Sequence, residues 1–102
     1  MAAPTTPAYV ISDVAPRDPA LFAQYRTLAQ ESIARYGGRY IVRGGAVETL
    51  EGGWTPQAIV IVEFPSMERA REWYRSPEYA EALKVRGDAL ERRLILVDGV
   101  QA

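Results

Sequence analysis

The run Ala58-Ile59-Val60-Ile61-Val62-Glu63-Phe64 constrains this chain more than any other stretch. It is apolar and rich in β-branched residues, broken only by Glu63, and it reads as a buried strand. Pro65 ends it. Ser66 is placed to cap a helix whose first turns carry Ala70, Trp73 and Tyr74.

The remaining elements follow from spacing. Ala8 to Val14 alternates loosely and is the expected first strand. Asp18 is an N-cap with Pro19 at the first helical position. Phe22, Tyr25, Ala29, Ile33 and Tyr36 then recur at three- and four-residue steps, the mark of an amphipathic helix that Gly37-Gly38 ends. Arg39 to Arg43 is the expected second strand, with Gly44-Gly45 as a bulge and Ala46 to Leu50 continuing it. Glu51 to Pro56 is the hairpin loop into the third strand. Ser76-Pro77-Glu78 starts another helix, with Tyr79, Leu83, Arg86 and Leu90 on one face. Arg93 to Val97 is the last strand, closed by Asp98-Gly99. The order β-α-β-β-α-β is the ferredoxin-like α+β arrangement, a four-stranded antiparallel sheet with its helices on one face. Residues 8–100 make one such domain, behind a flexible leader at residues 1–7 that has neither the charged nor the apolar region of a signal peptide.

Composition narrows the chemistry. The 102 residues include no cysteine and no histidine, so disulfides, thiolate catalysis, imidazole bases and cysteine zinc sites are excluded. No acidic spacing resembles an EF-hand, and no cofactor or metal is expected. Twelve basic and thirteen acidic residues nearly cancel without forming a basic stripe, which disfavours nucleic acid and anionic membrane as partners. No run has the length of a transmembrane helix, so the expected address is cytoplasmic.

The alternation of the strands predicts self-association. Two helices cover one sheet face, and the other is polar in a monomer. Here Val60, Val62 and Phe64 point one way and Ile59 and Ile61 the other, and Leu94 and Leu96 oppose Ile95 and Val97 in the same manner. Leaving such side chains in water forgoes about 1.5–3 kcal/mol each. A second copy laid over the open face, giving a barrel-like homodimer, is the expected remedy. The alternative is that the C-terminal tail or the Trp54 loop covers this face within one chain.

The stretch Tyr36-Gly37-Gly38-Arg39-Tyr40-Ile41-Val42-Arg43-Gly44-Gly45 is similar to a signature of the DUF1330 family. The similarity continues through Leu50-Glu51-Gly52-Gly53-Trp54, Val62-Glu63-Phe64-Pro65-Ser66 and Trp73-Tyr74-Arg75-Ser76-Pro77-Glu78-Tyr79 to Val97-Asp98-Gly99. It spans Tyr9 to Val100, with Asp98 where the family often carries Glu. The resemblance implies a dimeric α/β-barrel and no particular reaction, since the family's function is unknown.

Three constellations are candidates for chemistry. Counting back across the expected hairpin sets Arg43 beside Glu63, each charged in an otherwise apolar strand. The pair reads as a pocket lining, with Arg43 holding a carboxylate or enolate and Glu63 as base, or as a cross-strand salt bridge. Arg86 takes an apolar position on its helix, where it either snorkels over the core or reaches a carboxylate such as Glu63 or a ligand anion. Tyr25, mid-stripe, needs a hydroxyl partner from protein or ligand, and Trp73 is core by spacing and a candidate ligand contact. Ser76 is a helix cap, because no histidine is present to activate it. Two functions compete. One is a cofactor-free enzyme, monooxygenase- or isomerase-like, acting on a small acidic or aromatic molecule between sheet and helices. The other is a non-catalytic ligand-binding or assembly module.

Overall fold

The computed structural model describes residues 6–100. The elements run β1 (Ala8–Pro16), α1 (Pro19–Arg35), β2 (Arg39–Arg43), β3 (Ile59–Phe64), α2 (Met67–Tyr74), α3 (Pro77–Ala89) and β4 (Leu90–Asp98). The strands form one four-stranded sheet in the order β2-β3-β1-β4, antiparallel throughout. This is the ferredoxin-like α+β architecture, with the second helical region split in two. The first five residues of the expected leader lie outside the described residues. Among the described residues no helix is long and apolar enough to cross a membrane.

Local chemistry sets the helix starts. The Asp18 carboxylate accepts from the Ala20 and Leu21 amides at 3.0 and 3.1 Å. Ser66 accepts from the Arg69 amide at 3.1 Å and Ser76 from the Tyr79 amide at 3.0 Å. Each fills a donor that the first turn leaves orphaned. Pro77 starts α3, so Ser76 acts as the cap expected of it. At the end of α1, Gly38 brings backbone against the core. A Cβ there would lie 2.7 Å from Ile33 Cγ2 and 2.8 Å from the Phe64 ring.

Two boundaries differ from expectation. Strand β2 stops at Arg43, and Ala46 to Leu50 is not a strand. The Gly44 amide bonds Ile59 O at 2.8 Å, where β3 begins, so later residues have no ladder to join. The Asp13 carboxylate holds the other end of this loop, accepting from the Gln57 and Ala58 amides at 3.0 and 3.3 Å. The bulge expected at Gly44-Gly45 falls instead between Tyr40 and Val42. Strand β4 begins at Leu90 rather than Arg93, because α3 runs through Gly87 to Ala89 and Leu90 is already buried.

Register sorts the sheet into two faces. The helix-covered face carries Val10, Val14, Val62, Phe64 and Leu90, which pack with Tyr25, Ile33, Trp73 and Tyr79 from the helices. On the open face one row crosses all four strands, Val42 to Ile61 to Ile11 to Ile95. Ile95 is 59% exposed, and Val97 beside it is also exposed. The Trp54 loop reaches Asp13 at the rim of this face through a 3.4 Å bond and leaves these β4 residues open. The tail turns along β1 instead, with the Gly99 amide on Pro7 O at 2.7 Å and Val100 exposed.

Candidate functional site

A cavity of about 230 Å³ lies between the covered sheet face and α1. Its walls are mostly apolar, including Val10, Val14, Phe22, Ala29, Val60, Val62 and Leu94. α1 packs chiefly against α3, and the small side chains of Ala29 and Ala58 leave space beside Ser12, Val60 and Arg92. The opposite end is filled by aromatic packing, with Trp73 4.2 Å from Tyr79 and 5.3 Å from Phe64, ring centroid to centroid.

Its polar wall is built on Arg92. The alternation of β4 puts Leu90, Arg92, Leu94 and Leu96 on the covered side, so a guanidinium enters a face that is otherwise aliphatic. One terminal nitrogen of Arg92 donates to the Tyr25 hydroxyl and the other to the Tyr79 hydroxyl. The two hydroxyls also meet each other at 2.8 Å. No carboxylate pairs with Arg92 among the described residues. Among the described residues no aspartate or glutamate lines the cavity.

Protonation follows from this placement. Burial, reinforced by Tyr79, pushes the Tyr25 phenol far above the ordinary tyrosine range, against the pull of Arg92. Tyr25 is therefore a hydrogen-bond donor at neutral pH, not a base. Burial opposes the charge of Arg92, but the Tyr25 and Tyr79 oxygens outweigh it and hold the guanidinium above its usual value. Tyr40, which also lines the cavity, is raised by burial and opposed by Arg43 and Arg26. At the mouth, Arg43 donates to Gln30 Oε1 at 3.0 Å and stacks 4.2 Å over the Tyr40 ring. Arg26 lies 5.7 Å over Phe22.

The residues singled out from sequence separate. Tyr25, Trp73 and Arg43 line this cavity. Trp73 is buried, and its indole NH donates to Ser32 Oγ at 3.0 Å, so its polar edge is satisfied within the protein. Glu63 does not join them. The expected juxtaposition of Arg43 with Glu63 is overturned by register, which pairs Arg43 with Val60 and Arg39 with Glu63. The hairpin count assumed pairing out to Leu50. With pairing ended at Arg43, the two charges fall on opposite faces. On the open face Glu63 accepts from Arg39 Nε at 2.9 Å and from the Tyr9 hydroxyl at 3.1 Å. Arg86 is also elsewhere, in a more polar recess with Asp13, Arg17 and Glu91, and reaches neither Glu63 nor the cavity.

Sequence reasoning missed Arg92. The signal was present: extending the Leu94 and Leu96 alternation two residues upstream gives Arg92 an inward position. Starting the strand at Arg93 hid it. Tyr79 was visible as a core residue, but its hydroxyl partners come from α1 and β4. Among the described residues no group of three or more acidic residues gathers as for a metal.

Solved structures share this fold. A protein of unknown function from Rhodopseudomonas palustris superimposes with a TM-score of 0.76 at 24% identity, over 95% of this chain and 85% of that one. SnoaB, a cofactor-independent oxygenase from Streptomyces nogalater, does so with a TM-score of 0.68 at 12% identity, over 96% of this chain and 97% of that one. A dimeric protein of unknown function with a ferredoxin-like fold from Bacteroides fragilis gives a TM-score of 0.59 at 13% identity, over 90% of this chain and 95% of that one. Among curated proteins, none matches the chain significantly. The family profile described as "Domain of unknown function (DUF1330)" matches residues 7–100, nearly the whole chain, and the chain belongs to that family.

Proposed function

We propose that the cavity between sheet and α1 binds a small, largely apolar organic molecule through an acidic group, and that the protein acts on it as a cofactor-free enzyme of monooxygenase or isomerase type. The observation that carries this reading is Arg92, a guanidinium bonded to two phenols in an apolar cavity whose lining holds no carboxylate. Partial burial of a charge without a counter-ion is costly, and a ligand carboxylate, enolate or phenolate would offset that cost. The two phenols orient the guanidinium and leave an anion two kinds of donor, N–H and O–H. With no imidazole or carboxylate in the cavity, such a site stabilises an anion rather than removing a proton. That suits substrates acidic enough to ionise on binding Arg92. The likeness to a cofactor-independent oxygenase supports the reaction class by fold analogy alone.

The lack of a base among the lining residues also favours a second reading, a binding module that holds such an anion unchanged. One experiment separates them. Aromatic acids and enolisable aromatics are screened by thermal shift against wild type and Arg92→Gln, and each binder is followed for oxygen uptake and product by mass spectrometry. Turnover that disappears in Arg92→Gln supports the enzyme, and binding without turnover supports the module. Binders that shift both proteins equally overturn the site.

Self-association through the open sheet face belongs to the same reading, in a cytoplasmic setting. It is supported by the apolar row Val42, Ile61, Ile11 and Ile95, and by the dimeric state of one protein of this fold. Arg39, Tyr9 and Glu63 form a polar row beside it.

A further inference from the structure

We infer that the ligand of this cavity carries two acidic groups at opposite ends, one met by Arg92 within the cavity and the other by Arg43 and Arg26 at its mouth. This rests on reading the cavity as an anion site and adds a second subsite to it. Three arginines line a space to which no acidic residue contributes, in a chain whose formal net charge is −1. None of the three has an ion-pair partner among the described residues. Elsewhere Arg17 pairs with Glu91, Arg39 with Glu63 and Arg69 with Glu72, so the three cavity arginines are distinguished by sharing one space that lacks acids. The cavity thus gathers positive charge with no acidic residue in its lining.

The mouth pair is held in place. Arg43 on β2 is tethered to Gln30 on α1 and stacked on Tyr40, and Arg26 stacks on Phe22. Both supporting rings are themselves cavity walls. A guanidinium whose rotamer is already fixed loses little entropy on taking a ligand. Gln30 bonds one terminal nitrogen of Arg43. That contact is neutral, so it positions the group without quenching its charge.

Register sets the span. Arg43 lies in the cross-strand row of Val60, Ser12 and Leu94, on the β2 edge, and Arg92 on the β4 edge one covered-face position further along. Three strand spacings of about 4.8 Å put the two backbones roughly 15 Å apart. Both side chains rise off the sheet toward α1, Arg92 to Tyr25 and Arg43 to Gln30, so the space between the guanidinium groups is the cavity itself. At about 230 Å³ the cavity lies below the roughly 300–1,000 Å³ of typical ligand sites, which favours a single ring between the two acids.

The test needs only the intact protein. Benzoate and naphthoate are compared by titration calorimetry at low salt with the same rings bearing a second carboxylate at the far end. The expected result is that the second carboxylate tightens binding at least about tenfold for one ring length, in line with a charged hydrogen bond. That gain is lost in the Arg26→Gln/Arg43→Gln variant, whose exposed positions leave folding intact by circular dichroism. Equal affinities for mono- and diacid, both dependent on Arg92, overturn the second subsite and leave the anion site standing. A gain that survives in the double variant overturns it too. Absence of binding by either class, or binding indifferent to Arg92→Gln, overturns both the subsite and the reading beneath it.

Discussion

The hydroxyls of Tyr25 and Tyr79, residues 54 positions apart on different helices, meet at 2.8 Å and together accept from Arg92. The contact joins α1, α3 and β4 at one point. It also fixes the inner polar wall of the cavity, the end away from Arg26 and Arg43.

Replacing Arg92 with Leu should not destabilise the fold. The guanidinium has no counter-ion, and Tyr25 and Tyr79 keep each other as partners when it is removed. Exchange of a half-buried, unpaired charge for a hydrocarbon of similar size is expected to be neutral or stabilising, here by up to ~2 kcal/mol. Urea unfolding measures this. A loss above about 1 kcal/mol would mean that Arg92 is a structural strut.

Alkaline pH should destabilise the protein through Tyr25. Its folded-state pKa is raised above the unfolded value, first by burial and then by Tyr79. A raised pKa contributes stability that is complete below the unfolded value of about 10 and is lost as pH rises toward the folded value. Thermal unfolding followed upward from about pH 9 should show a falling midpoint, and Tyr25→Phe should fall less steeply. Parallel curves for the two proteins would remove Tyr25 as the cause.

The open face should be sensitive to charge. Ile61 lies mid-sheet on the apolar row, between Ile11 and Val42. Ile61→Glu should yield a folded monomer where wild type runs as a dimer, read by light scattering coupled to gel filtration. A monomeric wild type would sink the dimer, and an unchanged dimer in the variant would move the interface elsewhere.

Gly38→Ala should cost stability although the position is only half-buried. The added methyl would sit within 3.0 Å of both Ile33 and Phe64, and neither is the free end of a flexible chain. Overpacking of this kind costs about 1–3 kcal/mol. Denaturant midpoints for Gly38→Ala and for Gly53→Ala, whose surroundings are open, make the comparison.

Patterns carried by neighbouring residues were legible in the chain itself. Ser66, Asp18 and Ser76 announced their helices because capping is settled within three or four residues. The two-sided strand Ile59–Phe64 and the order of elements indicated the ferredoxin-like sheet, because side-chain alternation is a property of one strand alone. Register was not legible in this way. Where β2 stops depends on when β3 runs out of backbone partners, and that choice moved Glu63 from beside Arg43 to beside Arg39. The cavity and its half-buried cation depended still more on tertiary structure. Tyr25, Tyr79 and Arg92 converge only after helix packing and strand pairing have both been set, so no local pattern could announce the three as one site.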